Sequence, residues 1–178
     1  MLLSVLFIAG ALLLYGLLNF ALNSGGEFDF LLPYLDERII CGVPTIQHQH
    51  VIYVPVEKNS VQGLFYIITH HSSLFFRLAT RRLMAFFGVV RPFFSLSHNL
   101  FIAAYFYSTY VFVIAGFKKM VSFFLPQAAY FLTVIFFMVV TVMLSCDEWH
   151  NRFILGVLPF FLLLASGALI VKPKEHVQ

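Results

Sequence analysis

Residues 100–117 read LFIAAYFYSTYVFVIAGF, and this stretch decides the fold class. It contains no charged side chain, and Lys118 and Lys119 follow it directly. A helix needs about 20 consecutive apolar residues to cross the hydrocarbon core of a bilayer, which is roughly 30 Å thick. The stretch therefore predicts a transmembrane helix that ends at the two lysines.

Three other segments have the same character, namely residues 1–22, 126–145 and 153–171. Together with residues 100–117 they predict an all-α membrane protein with four transmembrane helices. The first segment has an alternative interpretation as a secretory signal peptide, although it lacks a basic start and an A-x-A cleavage site. Because apolar sequence begins at the first residue, we expect the chain to be part of a larger multi-span protein.

The composition of the whole chain agrees with a membrane class. Of its 178 residues, 61% are hydrophobic and only 11% are charged, whereas a soluble domain has about a quarter charged residues. This excludes an ordinary cytosolic domain, a disordered chain and a nucleic-acid-binding module. The net charge of +3 is too small to indicate a polyanionic partner, and the two cysteines predict neither a disulfide framework nor a clustered zinc motif.

Basic residues predict the orientation of the spans. Four lysines border the predicted spans, at Lys118, Lys119, Lys172 and Lys174. Because lysines of short loops prefer the cytoplasm, both chain termini are predicted to be cytoplasmic, in a multi-pass protein of the plasma or inner membrane. The intervening outer loop also contains six basic residues, but this preference weakens in loops longer than about 60 residues.

The predicted organisation has four parts. In chain order these are a transmembrane helix at 1–22, an outer loop at 23–99, a three-helix transmembrane region at 100–171 and a cytoplasmic tail at 172–178. Within the outer loop, residues 46–56 are rich in β-branched and aromatic residues and contain or adjoin prolines. They predict a short extended element.

The second half of the outer loop, residues 61–94, predicts a helix. Leu74 and Leu78 recur at helical spacing with four further apolar residues, whereas Arg77, Arg81 and Arg82 are assigned to another side. A basic amphipathic helix of this kind lies in the plane of the membrane interface. We therefore predict one interfacial helix in addition to the four spans.

A polar cluster separates the third predicted span from the fourth and contains Asp147, Glu148, His150, Asn151 and Arg152. So short a connection keeps these side chains at the outer membrane surface. They predict a site for a polar substrate head group or a lipid phosphate. The alternative is a polar turn whose charges solvate the ends of two helices.

Arg91 and His98 lie just before the second predicted span, on the same predicted side of the membrane. An arginine can hold two phosphate oxygens at once, and a histidine can donate a hydrogen bond to them. The pair therefore predicts phosphate binding. The alternative is a helix cap next to an arginine whose charged end reaches the lipid head groups.

Other titratable residues give weaker signals. His48 and His50 would face the same side of a strand, and His70 and His71 could add a ligand, but no CxxC or HExxH motif accompanies them. We predict no metal site and no cofactor. Four carboxylates follow the first span, and each is either a general base or an ordinary loop residue: Glu27, Asp29, Asp36 and Glu37.

Two short motifs carry a resemblance to a known family. The first is Arg91-Pro92-Phe93-Phe94-Ser95 with His98-Asn99, and the second is Cys146-Asp147-Glu148-Trp149-His150-Asn151-Arg152-Phe153, which leads into Leu158-Pro159-Phe160. Over roughly residues 60–171 the chain resembles the C-terminal part of GT-C-type membrane glycosyltransferases. The likeness is to bacterial relatives of the dolichyl-phosphate-mannose–protein mannosyltransferases and the aminoarabinose transferases.

The resemblance implies a partial enzyme with many spans in its full form. Such enzymes take a sugar from a polyprenyl-phosphate donor at the outer face and pass it to a protein, a lipid or a glycan. It implies that Arg91, His98 and Arg152 contact the donor phosphate within one cavity. Asp147 and Glu148 would orient Arg152 or bind sugar hydroxyls.

The implied partners are membrane lipid and the polyprenyl-phosphate sugar donor. The family's catalytic acid lies in the first outer loop, near the start of the full-length enzyme. Asp36 and Glu37 are similar to the acidic pair in that loop of the family only because they also follow a span. The catalytic residue therefore stays unassigned. The alternative function is a non-enzymatic, small multi-span accessory or lipid-binding subunit of the cell envelope.

Overall fold

The computed structural model describes residues 2–22, 31–43, 60–147 and 151–170. These residues form α-helices and one 3₁₀ turn, and no β-strand occurs among them. The chain divides into two compact units, Met1–Arg81 and Arg82–Gln178. The predicted extended element at 46–56 and the predicted tail at 172–178 lie outside the described residues.

The first unit contains an apolar helix and shorter helices that follow it. Its elements are α1 (Leu2–Leu22), α2 (Leu32–Leu35), α3 (Ser60–His70) and the beginning of α4 (Ser72–Gly88). Tyr34 is fully buried and stacks on Phe75, with the ring centroids 6.1 Å apart. Burial of these aromatic rings contributes to the apolar core of this unit, in which Ile67, Leu74 and Leu78 are buried as well.

The second unit contains three long helices. They are α5 (Leu96–Phe123), α6 (Leu125–Leu144) and α7 (Arg152–Ser166), and a 3₁₀ turn (Gly167–Leu169) continues α7. All three, with α7 extended to Leu169, are long and apolar enough to cross a membrane. This indicates a membrane protein and confirms the predicted helical class.

The first predicted span coincides with α1, which is a helix of 21 residues without a charge. The side chains of this helix are described without interruption only over Phe7–Leu17. The number of four transmembrane helices stays a prediction.

Helix α5 is longer than its predicted span. It continues through Lys118 and Lys119 as far as Phe123, because lysine is a good helix former and does not end a helix. Its 28 residues correspond to a length of about 42 Å, which exceeds the hydrocarbon core. Helix α6 then starts after the single residue Phe124, with Pro126 in its first turn.

The predicted helix at 61–94 is two helices in the structure, and it ends at Gly88 rather than at residue 94. Arg82 is also not on the side of the helix where it was predicted, next to Arg77 and Arg81. It is fully buried and donates from Nη1 to the carbonyl of Met143 at 3.1 Å. The reason is helical spacing, since Arg82 lies four residues after Leu78 and four before Phe86, and both are buried.

The core of the second unit forms where α5 packs against α7. Its buried members are Phe86, Val89, Phe106, Met120, Ala128, Ile135, Val142, Ile154, Val157, Phe161 and Leu164. Small residues allow the closest approach. Gly116 of α5 meets Gly167 so closely that the carbonyl oxygen of Gly116 would lie 2.6 Å from a Cβ on Gly167.

Serine and threonine hydroxyls within the three long helices bond to their own helix, whereas the hydroxyls of Tyr107 and Tyr110 in α5 donate to carbonyls of α4. Thr109, Thr133 and Thr141 each donate to the carbonyl four residues earlier, at 2.8–2.9 Å. Ser108 and Ser166 donate to the carbonyl three residues earlier. Such bonds satisfy a hydroxyl without a partner from another helix.

One end of the second unit is basic. Lys119 donates from Nζ to the carbonyl of Ile170 at 2.9 Å and to that of Ala168 at 3.5 Å. These carbonyls lie at the C-terminal end of α7 and its 3₁₀ turn, where the backbone has no further helical partner. Lys118 beside it is exposed.

Candidate functional site

The opposite end of the second unit contains a cluster of polar residues, here called the polar node. It consists of Arg82, Arg91, Asn99, Asp147 and Asn151. Arg91 lies between α4 and α5, and Asp147 follows α6. Because Nη2 of Arg91 forms an ion pair with Oδ2 of Asp147, the turn before α5 is fixed to the turn after α6.

The ion pair at the centre of the polar node is withdrawn from solvent. The side chains of Arg91 and Asp147 are both 0% exposed. Arg91 also donates from Nη1 to the carbonyl of Ala85 in α4, at 2.9 Å. Two desolvated charges are costly, and their mutual attraction together with such added hydrogen bonds offsets that cost.

Asn99 holds the backbone of Arg91 in place. Its Oδ1 accepts from the backbone N–H of Arg91 at 3.0 Å, and its Nδ2 donates to the carbonyl of Arg91 at 2.8 Å. Two hydrogen bonds therefore connect the first turn of α5, in which Asn99 lies, to the backbone of Arg91.

Asn151 joins the start of α7 to the end of α4. Its Nδ2 donates to the carbonyl of Val89 at 2.9 Å, across 62 residues of sequence. Both residues have a left-handed backbone, with φ of 59° at Asn151 and 54° at Val89. Asparagine tolerates this conformation, but a β-branched valine is strained there. Val89 is fully buried, so its packing offsets the strain.

His98 and Arg152 lie at the exposed margin of the polar node. His98 is in the first turn of α5, its backbone N–H donates to Oγ of Ser95, and its ring packs on Phe94 with the centroids 4.5 Å apart. Arg152 is the first residue of α7. Both side chains are exposed. Because each residue belongs to the first turn of its helix, each lies at the positive end of a helix dipole.

Among the predicted site residues, the structure brings together Arg91 and Asp147. For Arg91 to contact a phosphate, this buried pair would have to open. Glu148 and His150 lie outside the described residues. The convergence of Arg91, His98 and Arg152 in one cavity stays a prediction.

The acidic residues after the first helix lie in the first unit. Asp36 forms an ion pair with Arg38 at 2.5 Å, and the buried Glu37 pairs with Arg77 at 3.1 Å. Glu27, Asp29, His48 and His50 lie outside the described residues. Within the described part of the chain, no group of three or more potential metal ligands occurs.

Sequence reasoning missed three members of the polar node as site residues. Asn99 and Asn151 stood inside the recognised motifs, and an asparagine directly before an apolar helix is a signal for a cap or a turn. Arg82 had a signal in its spacing from Leu78 and Phe86. All three fix the geometry of the turns from which His98 and Arg152 project.

Comparison with known proteins gives no relative: no protein-family model, curated protein or solved structure matches the chain.

Proposed function

We propose that the chain is the C-terminal part of a GT-C-type glycosyltransferase that binds a polyprenyl-phosphate-linked sugar at the outer membrane face. The observation that carries the proposal is the Arg91–Asp147 pair. It fixes the turn before α5 to the turn after α6, so the N-terminal ends of α5 and α7 lie at the same end of the unit. Each of these ends presents an exposed basic side chain, His98 or Arg152.

This arrangement suits an anion with an apolar chain. Helix N-termini attract phosphate because their first N–H groups have no partner within the helix. The side chain of Asn151 makes no capping hydrogen bond at the start of α7, and its Nδ2 donates to the carbonyl of Val89. In this proposal His98 and Arg152 contact the donor phosphate, whereas Arg91 and Asp147 are positioning residues that hold the two helix ends in place.

The charge distribution supports an outer location for the polar node. Lys118 and Lys119 lie near the other end of α5, and basic residues of short loops prefer the cytoplasm. Cys146 borders the node and is disulfide-bonded. Disulfides persist on the oxidising side of a membrane, which favours the same orientation.

Cysteine labelling tests this orientation. The variants Ser97→Cys and Lys118→Cys each place a thiol at an exposed position at one end of α5, and the native cysteines are not free thiols. In sealed right-side-out vesicles, a membrane-impermeant maleimide is expected to label Ser97→Cys at once and Lys118→Cys only after permeabilisation. The reverse pattern would contradict the outer location of the polar node.

Phosphate binding tests the site itself. The full chain in lipid nanodiscs is titrated with farnesyl phosphate, and Arg152→Gln is expected to weaken binding about ten-fold, since a charge-assisted hydrogen bond to phosphate is lost. His98→Gln is expected to weaken it less. Arg81→Gln is the matched control, because it removes the same charge from an exposed arginine that is not a member of the polar node. Equal losses in Arg152→Gln and Arg81→Gln would refute a specific phosphate site.

The second candidate is a non-enzymatic accessory or lipid-binding subunit. The observation that favours it is the internal pairing of Arg91 with Asp147, which serves stability without any ligand. The two candidates differ in turnover. Incubation with a polyprenyl-phosphate sugar releases polyprenyl phosphate if the chain, alone or within a longer protein, transfers the sugar, whereas binding without release supports the accessory function.

A further inference from the structure

Three successive carbonyl groups at the end of α4 accept hydrogen bonds from side chains outside that helix. The first two donors are the hydroxyls of Tyr110 and Tyr107 in α5, at 3.3 Å and 3.2 Å. The third donor is Nδ2 of Asn151, which bonds to the carbonyl of Val89 at 2.9 Å. Of the three bonds only this last one is buried, so it joins the end of α4 to the start of α7 out of reach of water.

This buried bond connects two residues that are both in an unfavourable state. The backbone of Val89 is left-handed, which is costly for a β-branched residue. Asn151 is only 3% exposed, and within the described part of the chain its Oδ1 has no hydrogen-bond partner. A buried acceptor without a donor is unfavourable as well. Both costs would disappear if the two residues separated and changed conformation.

Asn151 has a second use for its side chain close at hand. It is the N-cap residue of α7, but its side chain makes no capping hydrogen bond there. A capping asparagine has an extended backbone, and its Oδ1 accepts from an N–H two or three residues further on. Here the backbone of Asn151 is left-handed instead, with φ of 59°. Because the two roles need different backbone conformations, the side chain performs one of them at a time.

The N–H groups that this cap would occupy are those that attract an anion. The first N–H groups of a helix have no partner within the helix, and they bind phosphate together with the positive end of the helix dipole. A phosphate at the start of α7 and the side chain of Asn151 in its capping role would therefore compete for the same donors. A ligand that binds only one of two states shifts the protein toward that state.

We infer that Asn151 is a switch that regulates the phosphate site at the start of α7. In the latched state, which is the state of the structure, Nδ2 bonds to Val89 and the first N–H groups of α7 are left to a phosphate. In the capped state, Oδ1 accepts from these N–H groups, Val89 returns to a negative φ and the phosphate is displaced. This inference rests on the proposed function, because it takes a phosphate at the start of α7 as its premise.

The test compares Asn151→Ser with Asn151→Gly, each in the full chain in lipid nanodiscs. Both variants lose the amide that donates to Val89. Serine still caps a helix, whereas glycine has no side chain with which to cap and adopts the left-handed backbone without strain. Farnesyl phosphate and inorganic phosphate are the two probes. We expect Asn151→Ser to bind phosphate about five-fold more weakly than Asn151→Gly, as a cap of ordinary strength predicts.

Hydrogen exchange reports the two states without a ligand. The amides of Phe153 and Ile154 occupy the second and third positions of α7. They are expected to exchange more slowly in Asn151→Ser than in Asn151→Gly, because the serine hydroxyl accepts from one of them. The amide of Val89, which bonds to the carbonyl of Ala85 at 3.2 Å, is expected to exchange faster in both variants than in the wild-type chain.

A second pair of variants changes the other partner of the buried bond, and it serves as the test if the changes at Asn151 prevent folding. Val89→Gly and Val89→Ala both lose the packing of the valine side chain. Only glycine accepts the left-handed backbone without strain, so alanine favours the capped state. We expect Val89→Ala to bind phosphate about three-fold more weakly than Val89→Gly.

The outcomes separate the switch from the proposed function. Equal affinity of the two Asn151 variants, or of the two Val89 variants, for a phosphate that the wild-type chain binds would overturn the switch and leave the phosphate site in place. The expected differences with inorganic phosphate, without binding of farnesyl phosphate, would support the switch and refute a lipid-linked donor. A wild-type chain that binds neither probe would refute both.

Discussion

Exchange of Arg91 for methionine is expected to destabilise the protein by about 3–5 kcal/mol. The substitution leaves the fully buried carboxylate of Asp147 without its guanidinium partner, and it also removes the hydrogen bond to the carbonyl of Ala85. An unpaired charge in a buried environment is far more costly than a missing surface ion pair. The change is measured as a lower thermal-unfolding midpoint of the purified protein in detergent.

Two further variants show whether the ion pair is the cause. The double variant Arg91→Met with Asp147→Leu removes both charges and is expected to regain most of the lost stability, because an apolar pair of similar volume replaces a buried ion pair at little cost. Arg81→Met changes an exposed arginine and is expected to alter stability by at most about 0.5 kcal/mol. If the double variant is as unstable as Arg91→Met, then the ion pair is not what holds the two turns together.

Exchange of Gly116 for alanine is expected to lower stability by about 1–3 kcal/mol, even though alanine is the better helix former. A Cβ at this position would lie 2.8 Å from the carbonyl carbon of Gly167 and closer still to the backbone nitrogen of Ala168. These are backbone atoms and cannot rotate away as a side chain can. Helices α5 and α7 would therefore have to separate, and a leucine at position 116 is expected to cost more than alanine.

Gly156 provides the matched control for this substitution. It is a glycine of α7, but a Cβ there meets no atom within 4 Å. Gly156→Ala is expected to be neutral or to stabilise the protein by up to about 1 kcal/mol, because the helix gains propensity without a collision. Thermal unfolding of both variants in the same detergent checks the pair, and equal effects at positions 116 and 156 would contradict a close packing contact at Gly116.

The helical class was readily predictable from the sequence, because a long uninterrupted apolar stretch in a bilayer satisfies its backbone hydrogen bonds by forming a helix. The ends of α5 were less predictable. Lys118 and Lys119 predict a boundary, yet a charged side chain ends the apolar surface and not the helix. The backbone changes direction only at Phe124, before Leu125 and Pro126, where φ reaches −137°.

The polar node could be predicted only as separate residues. Arg91 and Asp147 were both named as candidates, but 56 residues separate them, and sequence distance carries no information about their pairing. Arg82 shows a different kind of failure. Its spacing placed it on the face of Leu78 and Phe86, but its charge favoured the exposed side, and the hydrogen bond to the Met143 carbonyl that permits its burial is a tertiary feature.

The hydroxyl groups that bond within their own helices have a consequence for how the protein is made. A helix whose backbone and whose serine and threonine hydroxyls need no outside partner can enter the bilayer on its own. Helices α5, α6 and α7 are therefore suited to insertion one after another, as the chain is synthesised. Docking follows, and the ion pair of Arg91 with Asp147 forms only when α6 has docked against α5, since the pair joins the turn before α5 to the turn after α6.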